Sequence, residues 1–225
     1  MAVAFDAQGH DGANGSAVTS FSSSSIITVG SGSNRALVVF LMFVIGGGSG
    51  LPTGISCTWN GVAMTAITGA TFSDVTAGTS IIAYGLVNPA SGANTLSASW
   101  TGARFTGVGA ISFTGVDQTG GATSFAHGAG NHGNAGGNAS VTITSATGNI
   151  TAAAYTNDGG GAFTSTSPTQ DYVESTTSNS AMNHTAGSAS NTMTATPNTT
   201  NWVAAGVDVV AAAAAADVLL GQIVM

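Results

Sequence analysis

The chain has no lysine, and its only cations are Arg35 and Arg104 among 225 residues. Proteins bind nucleic acid by displacing counterions from phosphates with Lys and Arg. Two arginines cannot build such a surface, so nucleic acid is excluded as a partner. Anionic lipid and polyphosphate are excluded for the same reason. Nine acids set the net charge at −7, and charged residues make up only 5%, against about 25% in an ordinary domain. Cysteine is almost missing as well. Cys57 is the only one, so no internal disulfide is expected. In the strand-like run 55–61 it reads as a small buried apolar residue. Long apolar runs are also missing. The longest, residues 36–45, is about half of the ~20 residues that a membrane helix needs. The apolar stretch 203–225 is cut by Asp208 and Asp217, so no membrane span is expected. The first residues, MAVAFDAQGHDG, lack a basic segment followed by an apolar one. No signal peptide is read there, and the expectation is a chain made in the cytoplasm and used there, or carried out as part of a particle.

What is present points to a folded β protein. The chain is 43% hydrophobic, with a single Glu and four Pro, unlike disordered segments. Its surface must be mostly Ser, Thr, Asn and Gly, a coat that suits a protein held in an assembly or displayed on an outer surface. Thirty-three glycines, with Ser, Thr and Asn, punctuate short apolar runs, the spacing of a sandwich or barrel. Strands are expected at 17–29 (one long strand or a pair), 35–45, 55–59, 62–67, 79–87, 94–100 and 105–113. Further strands are expected at 140–144, 150–155, 171–175, 192–196 and 201–213. The continuous run 35–45 reads as a central strand buried on both faces. Asn60-Gly61 reads as a type I′ hairpin turn, which wants φ > 0 at both central residues. Residues 94–100 alternate Leu96, Ala98 and Trp100 with Thr95, Ser97 and Ser99. The fold class expected is all-β, a two-sheet antiparallel β-sandwich of jelly-roll or Greek-key type. It would form one domain over 1–225, with an N-terminal arm at 1–16, a sandwich at 17–210 and an apolar C-terminal arm at 211–225. Two long Gly-rich loops are expected, at 115–138 and 158–170.

Four strings occur in order: Ser33-Asn-Arg-Ala-Leu-Val-Val-Phe40, Thr58-Trp-Asn-Gly-Val-Ala-Met64, Tyr84-Gly-Leu-Val-Asn-Pro-Ala-Ser-Gly-Ala-Asn-Thr-Leu96 and Phe113-Thr-Gly-Val-Asp-Gln-Thr119. Together they resemble a jelly-roll-like β-sandwich module of tailed-phage virion proteins and some bacterial surface proteins. The resemblance covers roughly residues 15–120, and each string is a turn or a buried strand. The family carries no catalytic motif. In phages, stand-alone copies of this size resemble capsid decoration (cement) proteins or tail and fibre components. The resemblance implies a virion location. It implies the major capsid protein or other virion subunits as partners, and a homo-oligomer, a trimer above all.

No set of residues reads as a reaction centre. The glycines at 46–50 lack the Lys of a phosphate loop. Glu174, the only Glu, lies three residues from Asp171, and such residues of a strand point to opposite faces. Serines abound, but no Gly-x-Ser-x-Gly elbow occurs. His127 and His132 share one Gly-rich segment and His10 lies between Asp6 and Asp11, yet these spacings fall short of a zinc shell. Asp158 lacks the acid-rich surroundings of a calcium loop. No catalytic residue, metal or cofactor is therefore expected. Trp59, Trp100 and Trp202 fall in strands, where core packing is the default. The segment after the alanines at 211–216 would be an exposed apolar patch if free, and such patches mark contacts. Val218, Leu219, Leu220, Ile223 and Val224 are thus the candidate inter-subunit residues. The function expected is a non-enzymatic capsid decoration protein. The alternative is a tail or fibre module that binds host glycans through the loops 115–138 and 158–170.

Overall fold

The computed structural model describes residues 1–11, 16–44, 50–133, 137–158, 162–174, 179–196 and 201–214. The first half holds β1 (Ala4–Asp11), β2 (Val18–Ser23), β3 (Thr28–Val29), β4 (Ala36–Val44), β5 (Thr53–Trp59), β6 (Val62–Ala63), β7 (Thr65–Asp74), β8 (Thr79–Val87), β9 (Gly92–Ala93) and β10 (Leu96–Thr114). A four-residue helix, α1 (Gly121–Ser124), follows. The second half holds β11 (Phe125–Gly133), β12 (Ala139–Ile143), β13 (Ile150–Asn157), β14 (Ser165–Ser167), β15 (Thr169–Val173), β16 (Ser180–Ala186), β17 (Asn191–Thr196) and β18 (Trp202–Val209). Every paired ladder is antiparallel, and the molecule is the all-β sandwich expected from the turn spacing.

The pairing has a simple origin. In the first half, β1 pairs the end of β10, β2 pairs its beginning, β4 pairs β8 and β5 pairs β6. These are the nested pairs of one long hairpin whose tip is the β5–β6 turn. Asn60 and Gly61 form that tip with φ of 50° and 76°, as a type I′ turn requires. Rolling the ribbon brings β10 against β4 and β5 as well. The result is an eight-strand jelly roll, with β6 and β7 counted as one bent strand and the two parts of β10 as two. The second half repeats it. Its nested pairs are β11 with β18, β12 with β17, and β13 with β16, while β14 and β15 meet at the tip. The inner sheets run β1-β10-β4-β8-β7 and β11-β18-β13-β16-β15, and the outer sheets run β2-β10-β5 and β12-β17-β14. Matching backbone bonds close equivalent ladder ends: Asn88 N to Arg35 O and Gly187 N to Asn149 O, each 2.8 Å. The strings Ser91-Gly-Ala-Asn-Thr-Leu-Ser-Ala-Ser99 and Ser188-Ala-Ser-Asn-Thr-Met-Thr-Ala-Thr196 align without a gap.

The two inner sheets pack face to face, so the strand period of two divides each inner strand between two cores. In β4, Ala36, Val38, Phe40 and Met42 enter a core shared with Ile150, Ala152, Ala154, Val203, Ala205 and Val207. Leu37, Val39, Leu41 and Phe43 enter the first jelly roll's own core with Trp59, Leu96 and Trp100. In β13, Ala153 and Tyr155 enter the second jelly roll's own core. All nine residues of β4 and all eight of β13 and of β18 are buried, which explains the unbroken apolar run of β4.

Several expected boundaries moved. The segment 17–29 is two strands, one of its two readings, whereas 94–100 with 105–113 is one strand of 19 residues. Strand β1 occupies residues read as an arm, because its edge finds a partner in β10. The expected loop 115–138 contains α1 and β11, and 158–170 contains β14 and the start of β15. Strand β16 was not expected at all. Its polar sequence, Ser-Ala-Met-Asn-His-Thr-Ala, hides a central position between β13 and β15. The tail residues Val218, Leu219, Leu220, Ile223 and Val224 lie outside the described residues.

Candidate functional site

The scarce charged groups are used to fasten the fold. Arg35 donates from Nε to Pro89 O (3.1 Å), from Nη1 to Gly32 O (2.9 Å) and from Nη2 to Asn88 Oδ1 (3.0 Å). Gln118 Nε2 donates to Arg35 O and Val116 O. Three of the four strings that carry the phage-module resemblance therefore meet around Arg35, and the fourth is the hairpin tip. Asp6 accepts from Gly30 N (2.8 Å) and Ser112 Oγ (2.7 Å). Asp117 accepts from Thr119 N (2.8 Å) and Ser124 Oγ (3.3 Å), bonds that hold its carboxyl below the usual range.

The four histidines sit near the boundary between the jelly rolls. His132 on β11 places Nδ1 2.9 Å from Asp74 Oδ2 on β7, and its ring tilts against Phe72. At the opposite edge, His10 stacks on Tyr172 at 4.2 Å and His184 stacks on Phe5 at 4.6 Å. His184 Nδ1 also lies 2.7 Å from Asp171 Oδ1. His127 places Nδ1 3.3 Å from Asp208 Oδ2. Its φ of 46° belongs to a bulge in β11, where Gly128 packs so closely on the 68–70 backbone of β7 that a Cβ would meet Thr68 O at 2.2 Å.

The electrostatics of these pairs differ. Burial pushes the Asp74 carboxyl up, but bonds from His132 and from the amides of Ala77 and Thr76 outweigh it, so the net shift is down. Burial dominates at Asp171 and raises it, against the opposing pull of His184. Asp208 is buried and accepts from Ser145 Oγ (2.6 Å) and Asn149 Nδ2 (2.9 Å) as well as facing His127. This is not a nucleophile relay. Such a relay needs the hydroxyl bonded to the imidazole, and here Ser145 is bonded to the acid. His127 and His132, expected within the loop 115–138, are half-exposed strand residues that engage different carboxylates. Among the described residues no three His, Cys, Asp or Glu side chains group as metal ligands.

The outer sheets turn rows of hydroxyls outward. Ser20, Ser99 and Ser56 form one cross-strand row, and Ser22, Ser97 and Thr58 the next. Ser56 and Ser99 hydroxyls are 2.9 Å apart, Ser22 and Ser97 3.2 Å. In the second half, Ser140, Thr194 and Ser167 form a row, beside Thr142 with Thr192 and Ser165 with Thr196. These rows carry neither a charged side chain nor an aromatic ring.

The remaining candidates lie in cores. Trp59, Trp100 and Trp202 are each at most 5% exposed, so none is a sugar platform. Trp59 Nε1 donates to Ala90 O and Trp100 Nε1 to Val18 O. Cys57 is buried, and burial pushes its thiol up to about 12, which removes nucleophilic character at neutral pH. A cavity of about 70 Å³ lined by Thr65, Ile67, Thr68, Gly121 and Phe125 is far below the ~300–1,000 Å³ of a small-molecule site. No described helix is long and apolar enough to cross a membrane. No protein-family model, curated protein or solved structure matches the chain, and none of these comparisons links it to phage virion proteins.

Proposed function

We propose that this chain is a non-enzymatic structural subunit of a virion, most concretely a capsid decoration protein that stabilises a shell through contacts between neighbours. The observation that supports this reading is the division of polar groups. Arg35, Asp6, Asp74, Asp117 and Asp208 are engaged inside the fold, while the outward sheets carry hydroxyl rows. Burying a hydroxyl against a neighbour costs far less than burying a charge. Two jelly rolls packed through their inner sheets leave an outer sheet with hydroxyl rows on each, an arrangement suited to bridging subunits. The resemblance of residues 15–120 to virion modules points the same way.

In this reading Val218, Leu219, Leu220, Ile223 and Val224 reach a neighbouring subunit, either the major capsid protein or another copy in a trimer. Each 100 Å² of apolar surface they bury contributes roughly 2.5 kcal/mol before association costs. The test is a truncation at Ala214, compared with the full chain by sedimentation and by retention on heated shells. Loss of association and of retention is expected. An unchanged sedimentation coefficient together with unchanged retention would remove the tail as the clamp.

A further inference from the structure

Three imidazole–carboxylate pairs occur among the described residues. Two of them, His127 with Asp208 and His184 with Asp171, lie within the second jelly roll. Only His132 and Asp74 come from different halves. We propose that His132 and Asp74 form a pH-gated clasp that tightens the β7–β11 edge of the boundary in mild acid.

The surroundings isolate this pair. Asp74 ends β7 and is 7% exposed; its Oδ1 accepts from Thr76 N (2.9 Å) and Ala77 N (3.2 Å), which leaves Oδ2 for the imidazole. His132 is held from behind, since Asn131 Oδ1 accepts its backbone N–H and Asn131 Nδ2 bonds Ser140 O on β12. Strand β12 carries no ionisable side chain. Asp208, the acid of β18, lies at the other end of the β11 ladder beside His127. Strand β8, which pairs with β7, contributes Tyr84, whose hydroxyl donates to Ile55 O on the far side. The second half thus offers Asp74 one charge partner, His132, among the described residues.

Imidazole is the side chain that ordinarily changes charge between pH 5 and 8. Neutral, it makes a plain hydrogen bond to Asp74. Protonated, it makes a charge-assisted one, about twice as strong. The carboxyl of Asp74 is held below its ordinary range, so its contribution is present above the unfolded-state carboxyl titration and is lost as pH falls through the folded one. The full ion pair therefore needs Asp74 ionised and the imidazole protonated, a state that mild acid favours over alkaline pH. At higher pH no lysine can replace it; Arg35 is engaged with Pro89, Gly32 and Asn88, and Arg104 with the carbonyls of Ala103 and Gly50.

The test is amide hydrogen exchange on the full chain at pH 5.5 and pH 8, corrected for intrinsic rates and read on peptides covering 65–74 and 125–133. Because His132 is half exposed, an effect of about two- to five-fold is expected, the size of a screened pair. Protection should be higher at pH 5.5 in the wild type. His132→Gln should flatten the ratio at these peptides and leave the peptides of β1 and β15 unchanged. Asp74→Asn, which keeps an acceptor for Thr76, provides the second variant and should flatten it too. A wild type with equal protection at both pH values overturns the proposal, as does either variant that keeps the wild-type ratio.

Discussion

The first jelly roll is filled by large side chains and the second by small ones. Leu37, Leu41, Phe43, Trp59 and Trp100 occupy the first, where the second has Ala139, Ala153, Ala181, Ala195 and Ala204 around Tyr155, Phe163 and Trp202. The second compensates with buried polar networks. Asn183 is fully buried; it accepts from Tyr155 Oη at 3.0 Å and donates to Ser167 O and Thr194 O. Asn191 Nδ2 bonds Thr151 Oγ1 and Ala186 O, each at 3.0 Å. Asp208 gathers Ser145, Asn149 and His127. One topology therefore tolerates two fillings. Apolar area is forgiving of small geometric errors, whereas a buried network is stable only while every member is satisfied.

This contrast can be broken experimentally. The largest effect is expected at the core that both halves share. Phe40 is fully buried there, and Phe40→Ala should cost about 3–5 kcal/mol. Urea unfolding followed by tryptophan fluorescence should show a lower midpoint in a single transition, since Trp59 and Trp100 report the first half and Trp202 the second. Two separated transitions would show that the halves unfold independently. A smaller loss belongs to the network. Asp208→Ala strands the Ser145 hydroxyl and the Asn149 amide and should cost about 2–3 kcal/mol. Hydrogen exchange should place that loss in β13 and β18 before β4 and β8, and a uniform loss would deny the second half its separate dependence on polar contacts. The smallest effect is a null one. Cys57 lies in the first core with its thiol raised to about 12, so a thiol reagent at pH 8 should label it only as fast as the first jelly roll opens. Rapid labelling of the native protein would mean that the large-residue core is the looser one.

Much of the first half was legible in the sequence. The run 35–45 became β4, and Asn60-Gly61 became the tip of the roll. The expected strand 79–87 is β8 to the residue. The alternation at 94–100 put Leu96, Ala98 and Trp100 inside. The second half was harder for a physical reason. Its inner strands are rich in Ala, Gly and Asn, which carry weak strand propensity, and β16 buries Asn183 where an apolar residue would signal a strand. Glycine masked β11, read as loop from its sequence Phe-Ala-His-Gly-Ala-Gly-Asn-His-Gly. There Gly128 allows close backbone approach to β7, and Gly130 leaves room for the ring of Phe72. The candidate chemistry was readable only as residue types. Spacing placed His127 and His132 together, and the ladder aimed them at two different acids.

By itself the sequence determined the β class, the core of the first jelly roll, its hairpin tip and the neutral surface, because these follow from local pattern and composition. Tertiary structure alone decided that the chain is two jelly rolls packed through their inner sheets. It also decided that His132 of one half meets Asp74 of the other. Those facts depend on which faces meet across more than fifty residues of chain, and side-chain periodicity says that a face is buried without saying against what.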